Sequence, residues 1–422
     1  MSYSQLLEQI ENQLPTTNKP VYVGFSGGLD SSLLLHAVCD VLDNHRVVAI
    51  HCNHGISPDA DQWQKFCEHQ AQKLKIQLVV ERLHFPNGFS EVEGRDARNK
   101  VFSSHMQEGA LLLLGHHADD QAETVLFRLF RGSGARGLAG IPAERDFVRG
   151  TLIRPLITHP KSDLKEIALA QGIEWIEDES NKDQSFDRNY IRHKLLPYVQ
   201  SRWPNAIKSI LLSAKRLRQD IGLLDDFADE LLARVDYIGE NVSDVIGSMD
   251  IEKVGMLPAP QQSLLLRRFL FVNLGMIPEA FNAEEALSQF ILSKPDSEPL
   301  YLLGKTELRR FQARLYLLPA QKNMAPEQAR PWNGKAPLDL AGGTLSLIKG
   351  EPEDFTVRFR SGGERLKPEG RKHSQTLKKI LQEYSVEPWL RDRIPLIYQG
   401  GQLIAVGDRI FCTEHRFEWV RK

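Results

Sequence analysis

The first third of the chain alternates short apolar runs with longer stretches whose apolar residues recur at helical spacing. "VYVGF" (21–25), "RVVAIHCNH" (46–54), "IQLVVERL" (76–83) and "ALLLLGHH" (110–117) read as strands. "DSSLLLHAVCDVLD" (30–43), "SPDADQWQKFCEHQAQKLK" (57–75), "SEVEGRDARNKVFSSHMQEG" (90–109) and "ADDQAETVLFRLFRG" (118–132) read as the helices between and after them. Ser57 is the expected N-cap of the second helix, ahead of Pro58. The run "ALLLLGHH" is apolar at consecutive positions, as in a strand covered on both faces, which predicts a central place in the sheet. The fold class is therefore α/β, with a parallel sheet between two helical layers.

The pattern then changes. Over 203–293 the apolar spacing is helical almost throughout, in "IKSILLSAKRLRQDIGLLDDFADELLARV", "PQQSLLLRRFLFVNLG" and "AEEALSQFILS", and strand alternation is not evident. A linker-like stretch, 317–340, is rich in Pro, Ala and polar residues. Beyond it "FTVRFRSGGERL" and "IPLIYQGGQLIAVGDRIFC" read as short strands around a helix, "HSQTLKKILQEYS". The expected division is 1–215, a catalytic α/β domain; 216–325, a helical domain; and 345–422, a small mixed α+β domain.

Composition adds little for the whole and more for the parts. The 422 residues carry a formal charge of -2, so a nucleic-acid partner is neither required nor excluded. Locally the balance differs: 355–422 holds 14 Lys and Arg against 8 Asp and Glu, and 186–218 holds eight against one. The four cysteines, Cys39, Cys52, Cys67 and Cys412, form no CxxC pair and suggest reduced thiols. No signal-peptide core and no spanning apolar run is evident, so a soluble, cytoplasmic protein is expected.

The candidate chemistry begins at "FSGGLDSS" (25–32), where the first strand meets the first helix. Two glycines there let backbone N–H groups close on an anion, and the helix N-terminus adds partial positive charge. The ATPase P-loop does not fit, because no lysine follows; "GKT" at 304–306 fails too, because Pro299 stands where its first glycine belongs. If polyphosphate binds here, the carboxylate of Asp30 beside it needs either Mg²⁺ or a cationic substrate opposite it.

The loop resembles the SGGxDS loop of the PP-loop ATP pyrophosphatases, which split ATP to AMP and pyrophosphate. Three more stretches narrow the resemblance: "HCNHG" (51–55), "GHHADDQAETVLFRLFRGSGARGLAGI" (115–141), and "WIEDESN" (175–181) leading to "RNYIRHKLLP" (188–197). Together they resemble the tRNA(Ile)-lysidine synthetase family, strongly over the first 200 residues or so and more loosely in the C-terminal region. The resemblance implies a PP-loop, adenine nucleotide alpha hydrolase-like domain and a ligase. Such an enzyme adenylates the cytidine at the first anticodon position of tRNA(Ile) with a CAU anticodon. The ε-amine of free lysine then displaces AMP. ATP with Mg²⁺, lysine and that tRNA are the implied cofactors and partners; a homodimer is compatible with the sequence.

Site residues follow from both lines of argument. Ser26, Gly27, Gly28, Leu29, Asp30 and Ser31 are the expected ATP contacts, with Asp30 the candidate Mg²⁺ ligand. Lysine's ε-amine has a pKa of about 10.4, so it arrives as a cation and must lose a proton before it attacks. Carboxylates serve both needs, and Asp120 and Glu123 are the expected lysine binders. A helix running through His116, Asp120 and Glu123 would place all three on one face at the carboxyl end of the sheet. Asp119 is expected to cap that helix, and His117 is an alternative to His116. Arg98, in "DARNK", matches the family's pyrophosphate-stabilising arginine; Lys100, Val101 and Phe102 depart from the family pattern beyond it. Arg131, Arg136, Arg188 and Arg192 are candidate RNA or phosphate contacts. The glycine-rich "RGSGARGLAG" reads as a flexible segment able to order over the substrate. A tRNA thiolase of the same superfamily and a non-catalytic RNA-binding protein are the alternatives.

Overall fold

The computed structural model describes residues 1–15, 18–85, 90–177, 187–239, 245–277, 281–294, 297–320, 328–340 and 342–421. Residues 178–181 of "WIEDESN" and 321–327 of the expected linker lie outside them. The chain forms two compact units, Met1–Leu223 and Leu224–Lys422.

In the first unit the elements run α1 (Tyr3–Gln13), β1 (Val21–Gly24), α2 (Leu29–Val41), β2 (Val47–Asn53), α3 (Ala60–Leu74), β3 (Gln77–Arg82), α4 (Glu91–His105), β4 (Leu111–Leu113), α5 (Ala118–Phe130), α6 (Ala135–Leu138), β5 (Glu144–Phe147), β6 (Gly150–Ile153), α7 (Lys161–Ala170), α8 (Asp187–Tyr190), a π-helical turn (Ile191–Leu195) and α9 (Leu196–Arg202). The long α10 (Ala206–Arg234) follows. The sheet order is β3-β2-β1-β4-β6-β5, parallel except for the edge strand β5. β4 is indeed central. Its Leu111 and Leu113 pack into one core with Val21, Val23, Leu33 and Leu164, while Leu112 packs into the other with Tyr22, Ile50, Phe102 and Met106. Period-two alternation thus feeds two apolar layers at once, which is why the run had no polar face.

Order reverses between β1 and β4: β1 leads to β2 and β3 on one side, and β4 to β6 on the other. The loops leaving the carboxyl ends of β1 and β4 therefore diverge and leave a crevice, the usual ligand position in such sheets. They are the "FSGGLDSS" and "GHHADD" segments.

One local expectation is corrected here, and one feature is new. Ser57 does not cap α3; its hydroxyl takes the Asp59 N–H in a turn, and the helix starts only at Ala60 with Asp59 as N-cap. The β5–β6 hairpin, unforeseen, closes the sheet edge antiparallel.

The second unit is helical in α11 (Ile251–Gly255), α12 (Ala259–Leu274) and α13 (Ala283–Ile291). It also holds a five-stranded antiparallel sheet from Ile238–Gly239, Gly247–Asp250, Leu300–Leu303, Thr306–Phe311 and Arg314–Pro319, so the expected absence of strands in this stretch was wrong. The cause is non-local pairing: Asp250 lies opposite Arg314 and Met249 opposite Leu315. Further along, Phe355–Arg358, Leu396–Gln399, Gln402–Val406 and Ile410–Phe411 join Arg330–Trp332 in a second five-stranded sheet, and Leu377–Glu383 is the expected helix. Among the described residues no helix is long and apolar enough to cross a membrane.

Candidate active site

β1 hands the chain to a loop whose conformation needs glycine. Gly27 sits at φ +85°, and its carbonyl accepts the Ile176 N–H at 2.8 Å. A Cβ there would lie 2.9 Å from Ile176 Cδ1 and 3.1 Å from Cys67 Sγ. Ser31 Oγ accepts the Ser26 N–H (3.2 Å) and donates to Gly28 O (3.0 Å), and Ser32 Oγ donates to Gly27 O (3.2 Å). These hydroxyls fix the loop from inside. Gly28, the N-cap of α2, has no side chain to take the first-turn N–H groups, which leaves those donors for an anion. Gly27→Ala is expected to bind ATP at least tenfold more weakly by calorimetry, because a left-handed alanine costs about 1–2 kcal/mol before its contacts are counted. Unaltered affinity would separate the loop from nucleotide binding.

The second wall comes from β4. Gly115 passes so close to α2 that a Cβ would lie 3.1 Å from the Asp30 carbonyl. This contact brings the start of α5 onto the glycine loop. His117, 2% exposed, caps α5: its Nδ1 accepts the Asp120 N–H at 3.4 Å, and Asp120 Oδ2 accepts the His117 N–H at 3.0 Å. His117 Nε2 stands 3.5 Å from both Asp30 Oδ2 and Asp120 Oδ2. Burial works to lower its pKa, but Asp119, Asp120 and Asp30 outweigh that and raise it. Asp30 is raised by burial, against the pull of His117 and Lys161, and its Oδ1 is buried with no partner.

Glu123, 2% exposed, is raised by burial and held back by Arg192. Arg192 grips it with two bonds, Nε to Oε1 at 2.6 Å and Nη2 to Oε2 at 2.9 Å, and reaches Asp120 Oδ1 at 3.2 Å. Arg192 comes from the π-helical turn, whose extra residue per turn is a common device at functional sites. Asp30, His117, Asp120, Glu123 and Arg192 thus form one continuous cluster beside the glycine loop.

Other expected residues fall differently. His116 precedes α5 and does not share its face; its Nδ1 accepts from Arg154 Nε at 3.3 Å, and its pKa is lowered to about 4 by burial, with Arg154 and Arg98 acting the same way against Asp120. Asp119 does not cap its own helix. Its Oδ2 accepts the Lys161 N–H at 2.8 Å, at the first residue of α7. Arg98 lies exposed on α4, close enough for its charge to act on Cys52 and His116. Arg192, expected at phosphate, faces carboxylates. Arg131 and Arg188 flank the Phe127 ring at 4.5 and 5.8 Å, while Arg136 is exposed on α6. The "RGSGARGLAG" segment is tied down: Arg128 donates to the Gly137 and Gly140 carbonyls at 3.0 Å each, and Arg218 donates to the Ala139 and Ile141 carbonyls. Sequence reasoning missed Arg154 as a site residue, because the strand that delivers it, β6, was itself unforeseen.

Three family models match: a PP-loop domain over residues 2–199, a TilS substrate binding domain over 249–316, and a TilS substrate C-terminal domain over 355–419. A tRNA(Ile)-lysidine synthase of Coxiella burnetii is 35% identical over 416 residues, covering 94% of this chain and 90% of that protein. Those of Methylococcus capsulatus and Xylella fastidiosa are each 36% identical, over 91% and 95% of this chain and 90% and 93% of theirs. The chain belongs to the tRNA(Ile)-lysidine synthase family. Every lysidine-synthase site candidate, from Ser26 to Arg192, falls inside the span of the PP-loop match.

Proposed function

We infer that the chain ligates lysine to the first anticodon cytidine of tRNA(Ile) at the expense of ATP, releasing AMP and pyrophosphate. One observation carries the chemistry: Asp30 belongs both to the glycine loop and, through His117, to the buried acidic cluster. Nucleotide and lysine would then bind on opposite sides of one residue. The loop N–H groups and the α2 terminus receive the phosphates. Asp120 and Glu123 receive the lysine ammonium, in place of the guanidinium that now holds them, and a carboxylate among them takes its proton. Arg98 would offset charge on the departing pyrophosphate.

The unpartnered buried Oδ1 of Asp30 fits a Mg²⁺ ligand. Such an ion would take its remaining ligands from the phosphates and water. Mg²⁺ there would neutralise the triphosphate. Residues 1–215 would perform the chemistry, and the 216–325 and 345–422 regions would serve tRNA recognition, with the basic excess of the latter meeting phosphate. Sulfur transfer is disfavoured, because burial pushes the Cys52 thiol up to about 11 and Cys67 to about 12, far from thiolate.

Incubation with tRNA(Ile), ATP and isotopically labelled lysine, followed by mass analysis of anticodon-loop nucleosides, tests this. A cytidine carrying the intact lysine label is expected. A thiolated nucleoside, or an unmodified loop, would overturn it.

A further inference from the structure

Arg154 is an unusual residue to find in a core. It stands directly after β6, at the carboxyl edge of the sheet, and only 7% of it is exposed. A buried guanidinium normally faces a carboxylate. Here its side-chain bonds go to a carbonyl, Pro142 O at 2.8 Å from Nη1, and to an imidazole nitrogen, His116 Nδ1 at 3.3 Å from Nε. Its own N–H binds Ala143 O at 2.8 Å, so backbone and side chain are both anchored.

The bond to His116 has a consequence for the proton on that ring. Arginine is a donor only, so Nδ1 must offer its lone pair, and in a neutral imidazole the proton then sits on Nε2. The flanking Gly115 lies against the Asp30 backbone, so this histidine borders the glycine loop. The charged groups that bear on it are Asp120, which favours protonation, and Arg154, Arg98 and His117, which oppose it together with burial; the ring is held neutral, near 4.

We propose that Arg154 is a positioning residue: by occupying Nδ1 it fixes His116 as the Nε2–H tautomer, so that His116 serves as a neutral hydrogen-bond donor to phosphoryl oxygen and not as the base that deprotonates lysine. This rests on the nucleotide site assigned above, but the tautomer itself does not. A donor of this kind keeps its form through the whole reaction, whereas a base at this position would have to break the arginine bond in each turnover. The labour is then divided: His116 supports phosphoryl transfer, and the carboxylates handle the amine.

The test is ¹⁵N imidazole NMR on the full chain labelled at histidine, with His116 assigned from the signal missing in His116→Gln. The wild type is expected to show a protonated Nε2 and an unprotonated, hydrogen-bonded Nδ1 from pH 8 down to about 5. Arg154→Met, which removes both the donor and the cation, is expected to shift the Nδ1 resonance and raise the titration of this ring, while Arg154→Lys, which keeps the cation, is expected to leave the titration low. A proton on Nδ1 in the wild type, or a ring that titrates near 6.5 there, would overturn the proposal. In turnover, His116→Gln, whose amide N–H can replace Nε2–H, is expected to stay within about tenfold of wild type, and His116→Phe to lose roughly 100-fold or more. Equal losses in the two would also overturn it. A wild type that makes no lysidine but shows the expected spectrum would overturn the functional reading and leave the tautomer standing.

Discussion

Asp30→Asn is expected to stop AMP and pyrophosphate release while leaving the fold as stable as before, or more so. The two halves of that result have one cause. Asp30 is desolvated, one of its oxygens has no partner, and burial holds its carboxyl above the usual range despite His117 and Lys161. A folded-state pKa above the unfolded one means that the folded chain binds more protons in that window. Stability therefore falls as pH rises from about the unfolded value through the folded one, and at neutral pH the ionised group is a net cost. The amide removes this cost at nearly constant volume. Tm at pH 7 should hold or rise, with the gain shrinking as pH drops into the window. Function moves the other way. A neutral amide would neither balance the proposed Mg²⁺–polyphosphate complex nor raise the pKa of His117 across the crevice, and loss of one such interaction is worth at least about 10²–10³ in rate. Measured together, thermal melts and tRNA-dependent AMP release decide the matter: an active variant, or one that unfolds, would place Asp30 in the scaffold instead.

Why Asp30 could be singled out from sequence, and others could not, is a matter of range. "FSGGLDSS" is a local device: glycines that free the backbone, followed at once by a helix whose amides point at them. The serine hydroxyls that fix it and the helix start that follows it all lie within eight residues. The four leucines of "ALLLLGHH" were equally transparent, since a strand covered on both faces has no polar side to show. Asp119 illustrates the opposite case. Its helix start was visible, but the amide it satisfies belongs to Lys161, 42 positions on. Likewise "GSMD" became a strand because Arg314–Leu317 lies alongside it, and nothing within the segment announces that partner. The choice between His116 and His117 turned on one residue of register. The helix begins at Ala118, so His117 became the cap and was drawn among the carboxylates, while His116 was left facing Arg154. Arg192 belonged to a basic run that reads as a phosphate surface. Only its fold-back onto α5, through a π turn, shows that its partners are acids.

On the proposed function, that fold-back sets the terms for lysine. Glu123 gives both oxygens to Arg192 and is nearly inaccessible, whereas Asp120 gives one oxygen at 3.2 Å and its side chain is 21% exposed. An incoming ammonium has three donors and no acceptor, so it must win oxygens from the guanidinium, and the deeper carboxylate is the one whose charge water screens least. Glu123→Gln is therefore expected to raise the KM for lysine by about 100-fold, near 3 kcal/mol, the scale of a buried charge contact. Adenylation of the tRNA without lysine should stay within a few-fold, because the Glu123 carboxylate is bonded to Arg192 while the glycine loop is fixed by its own serine hydroxyls. Asp120→Asn should cost less in lysine KM and more in the capping of α5. The pH dependence carries the same sign. Burial lifts the Glu123 carboxyl, so in the wild type lysine affinity should weaken as pH falls through that raised value, and Glu123→Gln should lose this acid limb. Steady-state kinetics in lysine at several pH values, alongside pyrophosphate release measured without lysine, separate these effects. A variant with an ordinary lysine KM and an intact acid limb would remove Glu123 from the amine site and leave its pairing with Arg192 as scaffold.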